Sequence, residues 1–340
     1  MKKIVVLTLF IVIIGGAAVV TMSLRLQQPF RAYPGSEQFV DIPQRSGSRT
    51  IGERLVASGV VQDHLTFRIA LWRSGKGRQL KAGEYRFDRA MTPAEVVDKI
   101  ARGDVYTVAA TFPEGLTIAE MAKIYEAHGL GTAQAFVDAS RDVTAINDID
   151  SKATDLEGYL FPETYALPRS ADAAALVRLM VAGFRRVLTP EIRDAAKARN
   201  LSVRQLVTLA SIVEKETARA DERPLVAAVY QTRLRIGMPL QCDPTVIFAL
   251  TRAGRYDGNL HHDDLSFDSP YNTYRYAGLP PGPIASPGRA SIQAVAHPAD
   301  ADYLYFVSRN DGSHAFAKTL DEHSRNVQKY QVQYFRERRR

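Results

Sequence analysis

The chain has 340 residues, which suits about two domains, and its 46% hydrophobic and 24% charged residues exclude collagen-like, disordered and disulfide-scaffold classes. Forty-four basic against 37 acidic residues give a formal charge of +7, densest in the Arg336–Arg340 stretch; this suits an anionic partner (nucleic acid, lipid headgroup or acidic wall polymer) without choosing among them. The single cysteine, Cys242, excludes an intrachain disulfide and neither requires nor excludes an oxidising compartment.

Met1-Lys2-Lys3 is followed by nineteen uncharged residues, Ile4 to Met22. As a helix they span roughly 28 Å, close to the thickness of a hydrocarbon core. A cleaved signal peptide is the competing reading, since the start is basic and Gly15-Gly16-Ala17-Ala18 offers small residues. The run is longer than a signal-peptide core and continues through Val19-Val20, which favours an uncleaved anchor. Residues 1–3 are then a cytoplasmic tail, 4–22 a single transmembrane helix, and the chain from about residue 23 is exported to the periplasmic side of the inner membrane.

Residues 23–37, with two prolines and a glycine, read as a linker. Three T-x-x-E capping boxes follow, at Thr50–Glu53, Thr92–Glu95 and Thr117–Glu120, opening helices that stop at Gly59, Gly103 and Gly129. Strand-like runs precede them at 38–42, 83–87 and 106–110. The capped helix from Gly115 to Tyr125 resembles the LysM glycan-binding module, so residues 38–150 are read as a LysM-like α/β region. From 151 to 340 the texture is mainly helical, with helices at 174–199, 203–219, 222–236, 288–297 and 319–338 and a strand at 303–307. The fold class expected is α+β.

On the helix 203–219, Leu206, Leu209, Ala210, Ile212 and Val213 define one apolar arc and Lys215 falls opposite it. Glu216 then points between the directions of Leu209 and Ile212, while Glu214 lies at the other margin. A carboxyl in an apolar site has a raised pKa, as a general acid needs; a solvated E-K-E helix end is the plain alternative. The loops Ser269–Tyr274 and Glu157–Tyr165 place aromatics and polar side chains on rigid turns, which makes either a sugar-binding surface or ordinary loop packing. His261-His262-Asp263-Asp264 lacks metal-ligand spacing, Ser211 has no nucleophile elbow, and no nucleotide-binding glycine motif occurs.

Together EGYLFPETY at 157–165, LASIVEKET at 209–217, RLRIGMPLQCDPTVIFAL at 233–250, SPYNTYRYAGLPPGPIASPG from 269, AHPADADYLYFV at 296–307 and His314-Ala315-Phe316 resemble the YceG-like (MltG) family of endolytic murein transglycosylases over nearly the whole chain. The resemblance implies that Glu216 is the catalytic acid and base and that Cys242 is not catalytic. It implies cleavage of the β-1,4 bond between N-acetylmuramic acid and N-acetylglucosamine within strands, leaving 1,6-anhydro ends, with no metal or cofactor and no nucleic acid. Partners implied are peptidoglycan glycan strands and the peptidoglycan synthases whose nascent strands it terminates. Glu157, Tyr159, Tyr230, Gln241, Tyr271, Asn272 and Tyr274 are the candidate glycan contacts. A membrane-anchored muramidase and a non-catalytic wall-binding protein are the alternatives; the intact E-K-E-T and Y-N-T-Y motifs favour the enzyme.

Overall fold

The computed structural model describes residues 2–169 and 171–338, without the side chains of residues 2–9, 11, 12, 18, 337 and 338. It is a mixed α+β architecture of two compact units, residues 1–108 with 166–170, and residues 109–165 with 171–340.

The first unit opens with α1 (Lys2–Gln27), a single helix. Among the described residues no helix is long and apolar enough to cross a membrane, and nine of the nineteen side chains of the expected span at 4–22 lie outside the description. Then come β1 (Gln38–Ile42), α2 (Ser48–Ala57), α3 (His64–Ser74), β2 (Gly83–Phe87) and α4 (Pro93–Arg102). β1 and β2 pair antiparallel, Gln38 opposite Phe87 and Ile42 opposite Gly83. Their two-residue alternation turns Val40, Ile42, Tyr85 and Phe87 inward, onto Ile51, Leu55, Phe67, Val96 and Ile100. The capping box at Thr92–Glu95 forms as expected, with Pro93 at the first helical position and left-handed Gly103 at the stop. The first expected box does not: α2 begins at Ser48 after Gly47, so Thr50 is already inside the helix and caps nothing.

The chain continues through β3 (Val108–Thr111), α5 (Ile118–Ala127), α6 (Ala133–Ala139) and β4 (Thr164–Leu167), β3 and β4 forming a second two-stranded sheet. α5 carries the third capping box, Thr117–Glu120, and belongs to the second unit rather than to a region ending near residue 150. Next are α7 (Ala173–Val187), α8 (Pro190–Ala198), α9 (Val203–Glu216), α10 (Arg223–Arg235), α11 (Asp243–Arg252) and α12 (Arg289–Ala296). The single helix expected over 174–199 is two, because Pro190 has no amide to donate and Thr189 caps a new start. β5 (Tyr305–Ser308) and β6 (His314–Ala317) form a hairpin, and α13 (Leu320–Val327) passes through a π-helical turn into α14 (Tyr334–Arg338).

α9 is the core of this unit. Every residue from Leu206 to Val213 is buried, including Thr208 and Ser211, whose hydroxyls are satisfied by the Arg204 and Thr208 carbonyls. Ser202 and Gln205 cap its start reciprocally. Its far end carries the E-K-E sequence.

Candidate active site

Glu214, Lys215 and Glu216 occupy the last turn of α9, and 100° steps send them in three directions. Lys215 is exposed and its Nζ reaches the carbonyl of Gly115. Glu214 turns inward and is saturated: Arg223 donates at 3.0 Å, the Gly288 amide at 2.9 Å and Ser291 Oγ at 2.7 Å. Its side chain is 5% exposed. A carboxylate so paired is an anchor that ties α9 to α10 and α12.

Glu216 faces different chemistry. The hydroxyl of Tyr230 donates to its Oε1 at 2.8 Å, and the thiol of Cys242 hydrogen-bonds the same carboxyl. Among the described residues it has no ion pair. Desolvation pushes its pKa up; the bonds from Cys242 and Tyr230 oppose this, Asp243 adds to it and His314 works against it. Burial likewise pushes the Cys242 thiol and the Tyr230 phenol well up, so both remain protonated donors.

The loop 269–274 forms one wall. The amide of Gln241 donates to the Thr273 carbonyl at 3.2 Å, the Cys242 amide to Thr273 Oγ1 at 3.0 Å, and Thr245 and Thr273 share a hydroxyl bond at 2.9 Å. Tyr274 donates to Asp243 Oδ1 at 2.6 Å. Gln241 and Asp243 are exposed and Tyr274 half-buried, so these three form the rim beside Glu216.

The second wall comes from far along the chain. Glu222 accepts from the His314 amide at 2.9 Å, holds His314 Nδ1 at 2.6 Å and receives Thr217 Oγ1 at 3.4 Å. The imidazole of His314 meets Phe306 edge-on at 5.4 Å, and Phe306 meets Tyr230 edge-on at 5.8 Å. The residue that follows Glu216 is thus held by Glu222, at the start of α10, which is in turn paired with His314 of the β5–β6 hairpin.

The sequence-expected contacts divide. Tyr230 lies behind the acid as its hydrogen-bond donor, and Gln241 and Tyr274 are on the rim. Tyr271 packs against Phe248 at 5.0 Å, with the Arg252 guanidinium 5.8 Å from its ring. Three are scaffold instead of sugar-facing. Asn272 is fully buried, its amide donating to the Leu265 and Phe267 carbonyls and its oxygen accepting from the Tyr274 amide. Tyr159 is buried, donates to Asp150 at 2.7 Å and packs edge-on against Phe184. Glu157 is buried against the first turn of α5, both oxygens 3.2 Å from the Ile118 amide, and desolvation pushes its pKa up to about 8. Between them Gly158 has φ +84°, and a Cβ there would sit 2.4 Å from Pro283.

Cys242, Glu222 and His314 are the site residues that motif reading missed. Cys242 has the isolated look of a small buried apolar residue, and Glu222 and His314 are 92 residues apart, beyond any local pattern. Among the described residues no cluster of His, Cys, Asp and Glu is disposed to hold a metal ion.

The model of the YceG-like family matches residues 40–329. The endolytic murein transglycosylase of Bacillus subtilis strain 168 is 31% identical over 336 residues, covering 94% of this chain and 91% of the relative. That of Streptococcus pneumoniae serotype 2 strain D39 is 32% identical over 319 residues, covering 85% of this chain but 57% of the relative. A crystal structure of a YceG-like protein from Listeria monocytogenes superposes with a TM-score of 0.58 at 31% identity, covering 85% of this chain and 98% of that one.

Proposed function

The chain belongs to the YceG-like family, and on that premise we propose that it is an endolytic murein transglycosylase in which Glu216 is both acid and base. The observation that carries the assignment is the pair of neutral donors on a desolvated carboxyl that has no ion pair among the described residues.

Burial raises the Glu216 pKa and so favours the protonated form, the acid that transfers its proton to the oxygen linking N-acetylmuramic acid to N-acetylglucosamine. As that proton moves, the C1–O bond breaks and positive charge develops at C1 and the ring oxygen. The carboxylate left behind is held by the Tyr230 hydroxyl and the Cys242 thiol, so it can wait as a base. Asp243, on the rim, places negative charge near this carboxyl. The muramyl C6 hydroxyl then closes on C1, its proton passes to Glu216, and a 1,6-anhydro end results with no water consumed. One carboxylate suffices because the substrate brings its own nucleophile, whereas hydrolysis normally uses two.

Gln241, Tyr271 and Tyr274 are the side chains assigned to glycan contact. Residues 38–150 are assigned the LysM-like role of positioning glycan strands, and peptidoglycan synthases remain the partners whose strands the enzyme terminates. Residues 4–22 act as a single-pass anchor in the inner membrane, with the catalytic unit on the periplasmic side; the uncharged nineteen-residue run after Lys2-Lys3 supports this. Digestion of purified murein in ¹⁸O water tests the reaction: anhydromuramyl ends free of label are expected, and labelled reducing ends would make the enzyme a muramidase.

A further inference from the structure

Trp72 is the only tryptophan of the chain, and it is 83% exposed. Leu65, two helical turns earlier on the same face of α3, is 53% exposed. Paired large apolar side chains standing in water on one helix face mark a surface that something covers. Around them stand three exposed arginines, Arg68, Arg73 and Arg78, and none of their side chains has a hydrogen bond, ion pair or ring contact among the described residues. The nearby acids are already answered: Asp63 caps α3 and lies 3.6 Å from Arg25, and Asp98 pairs with Lys76 at 2.7 Å. The face is therefore apolar at its centre and unopposed cationic at its edges.

What lies beside it identifies the occupant. Arg25 belongs to α1 and its partner Asp63 is the N-cap of α3, while Leu26 packs on the core of the same unit. Met22, the last residue of the apolar run, precedes Arg25 by three residues, about 4.5 Å of helix. The N-cap of α3 is thus ion-paired to a residue less than one helical turn past the end of the apolar run. We propose that the α3 face formed by Leu65, Arg68 and Trp72 docks on the surface of an anionic lipid bilayer beside the anchor. Tryptophan and leucine enter the headgroup boundary there, and the guanidiniums take lipid phosphates. The proposal rests on the reading of residues 4–22 as an anchor. A glycan strand fits this face less well, because Leu65 beside the ring favours hydrocarbon and three unpaired guanidiniums favour phosphate-dense surroundings.

The lone tryptophan makes the test specific. The full chain is reconstituted into vesicles of phosphatidylcholine, with and without phosphatidylglycerol, and with lipids brominated on the acyl chains. In the anionic vesicles Trp72 emission should shift to the blue, acrylamide quenching should fall several-fold, and brominated lipid should quench. Each arginine near such a surface is worth about 5-fold in partition, so Arg68→Glu with Arg73→Glu should restore acrylamide access while the protein stays with the vesicles through an alkaline wash. Both positions are exposed, and circular dichroism checks that the variant is folded. Protein that resists the wash but shows a fully acrylamide-accessible Trp72 would overturn the docking and leave the anchor standing. Release by the wash would remove anchor and docking together. Shielding of Trp72 by added murein but not by lipid would reassign the face to glycan.

Discussion

The hydroxyl of Tyr230, on α10, donates to Oε1 of Glu216 across 2.8 Å at the end of α9. The bond favours the ionised carboxyl, so it acts against the desolvation that raises the Glu216 pKa. Tyr230→Phe removes it without changing the ring's packing on Phe306. The Glu216 pKa should then rise further, because a hydrogen bond to the charged form is lost. Activity requires the protonated acid at the start, so the alkaline limb of the kcat/KM profile should move to higher pH. The maximum should fall by about 10-fold or more, because the carboxylate formed during cleavage has lost a donor.

Cys242 acts on the same carboxyl through a thiol. Cys242→Ser retains a donor and should keep activity within a few-fold of the parent. Cys242→Ala should show the same upward displacement of the alkaline limb as Tyr230→Phe, but smaller, since a thiol is a weak donor. A pH–rate series on the three proteins checks the order.

His314 and Glu222 hold Thr217, the neighbour of the acid. His314→Ala leaves Glu222 buried with Arg219 3.6 Å away as its remaining cation, so the turn after α9 should loosen. The expected signature is a kcat loss of about 10–100-fold with little change in KM. His314→Asn, which can still donate toward Glu222, should recover part of it.

α9 was legible because helical periodicity is local: the arc Leu206–Val213 is buried as the spacing requires, and Lys215 is the exposed member of the run; the spacing alone hardly separates Glu214 from Glu216, and it is the family resemblance that points to Glu216. The break at Thr189-Pro190 runs against the expected single helix over 174–199: the proline that interrupts the helical pattern was in the chain, and periodicity alone passes over it. Loop roles were not. An asparagine between tyrosines looks alike whether it reads a sugar or stitches its own loop, and Asn272 does the second. The same holds for Tyr159 and Glu157, whose partners Asp150 and Ile118 are set by packing. The T-x-x-E at Thr50 fails because the pattern describes only the four residues, not where the helix starts.

Glu157 should make stability pH-dependent. Its folded pKa of about 8 stands above the usual 4.5, so across that window the folded chain holds a proton that the unfolded chain has released. Stability therefore falls as pH rises from about 4.5 to 8 and levels off beyond; the full shift corresponds to about 5 kcal/mol. Glu157→Gln cannot ionise and its oxygen can still accept from Ile118, so the fall should flatten. Melting temperatures at pH 5 and pH 8 for both proteins should show a smaller difference in the variant.

Glu214 provides the structural contrast to Glu216. Arg223→Met leaves its buried carboxylate without a cation and should cost about 3–5 kcal/mol in urea unfolding. Glu214→Gln keeps shape and part of the hydrogen bonding, so its loss should be smaller and should appear as stability rather than as chemistry.

The most direct measurement compares Glu216→Gln with Glu214→Gln on purified murein, scoring anhydromuramyl product per folded molecule by mass spectrometry. Removing the transferable proton from Glu216 should lower turnover by about 10²–10⁴-fold or more, since one group serves both steps, with the melting temperature held or raised because a buried ionisable group is gone. Glu214→Gln should retain product formation in proportion to its folded fraction. Intact turnover in Glu216→Gln, with product abolished in a folded Glu214→Gln, would contradict the assignment.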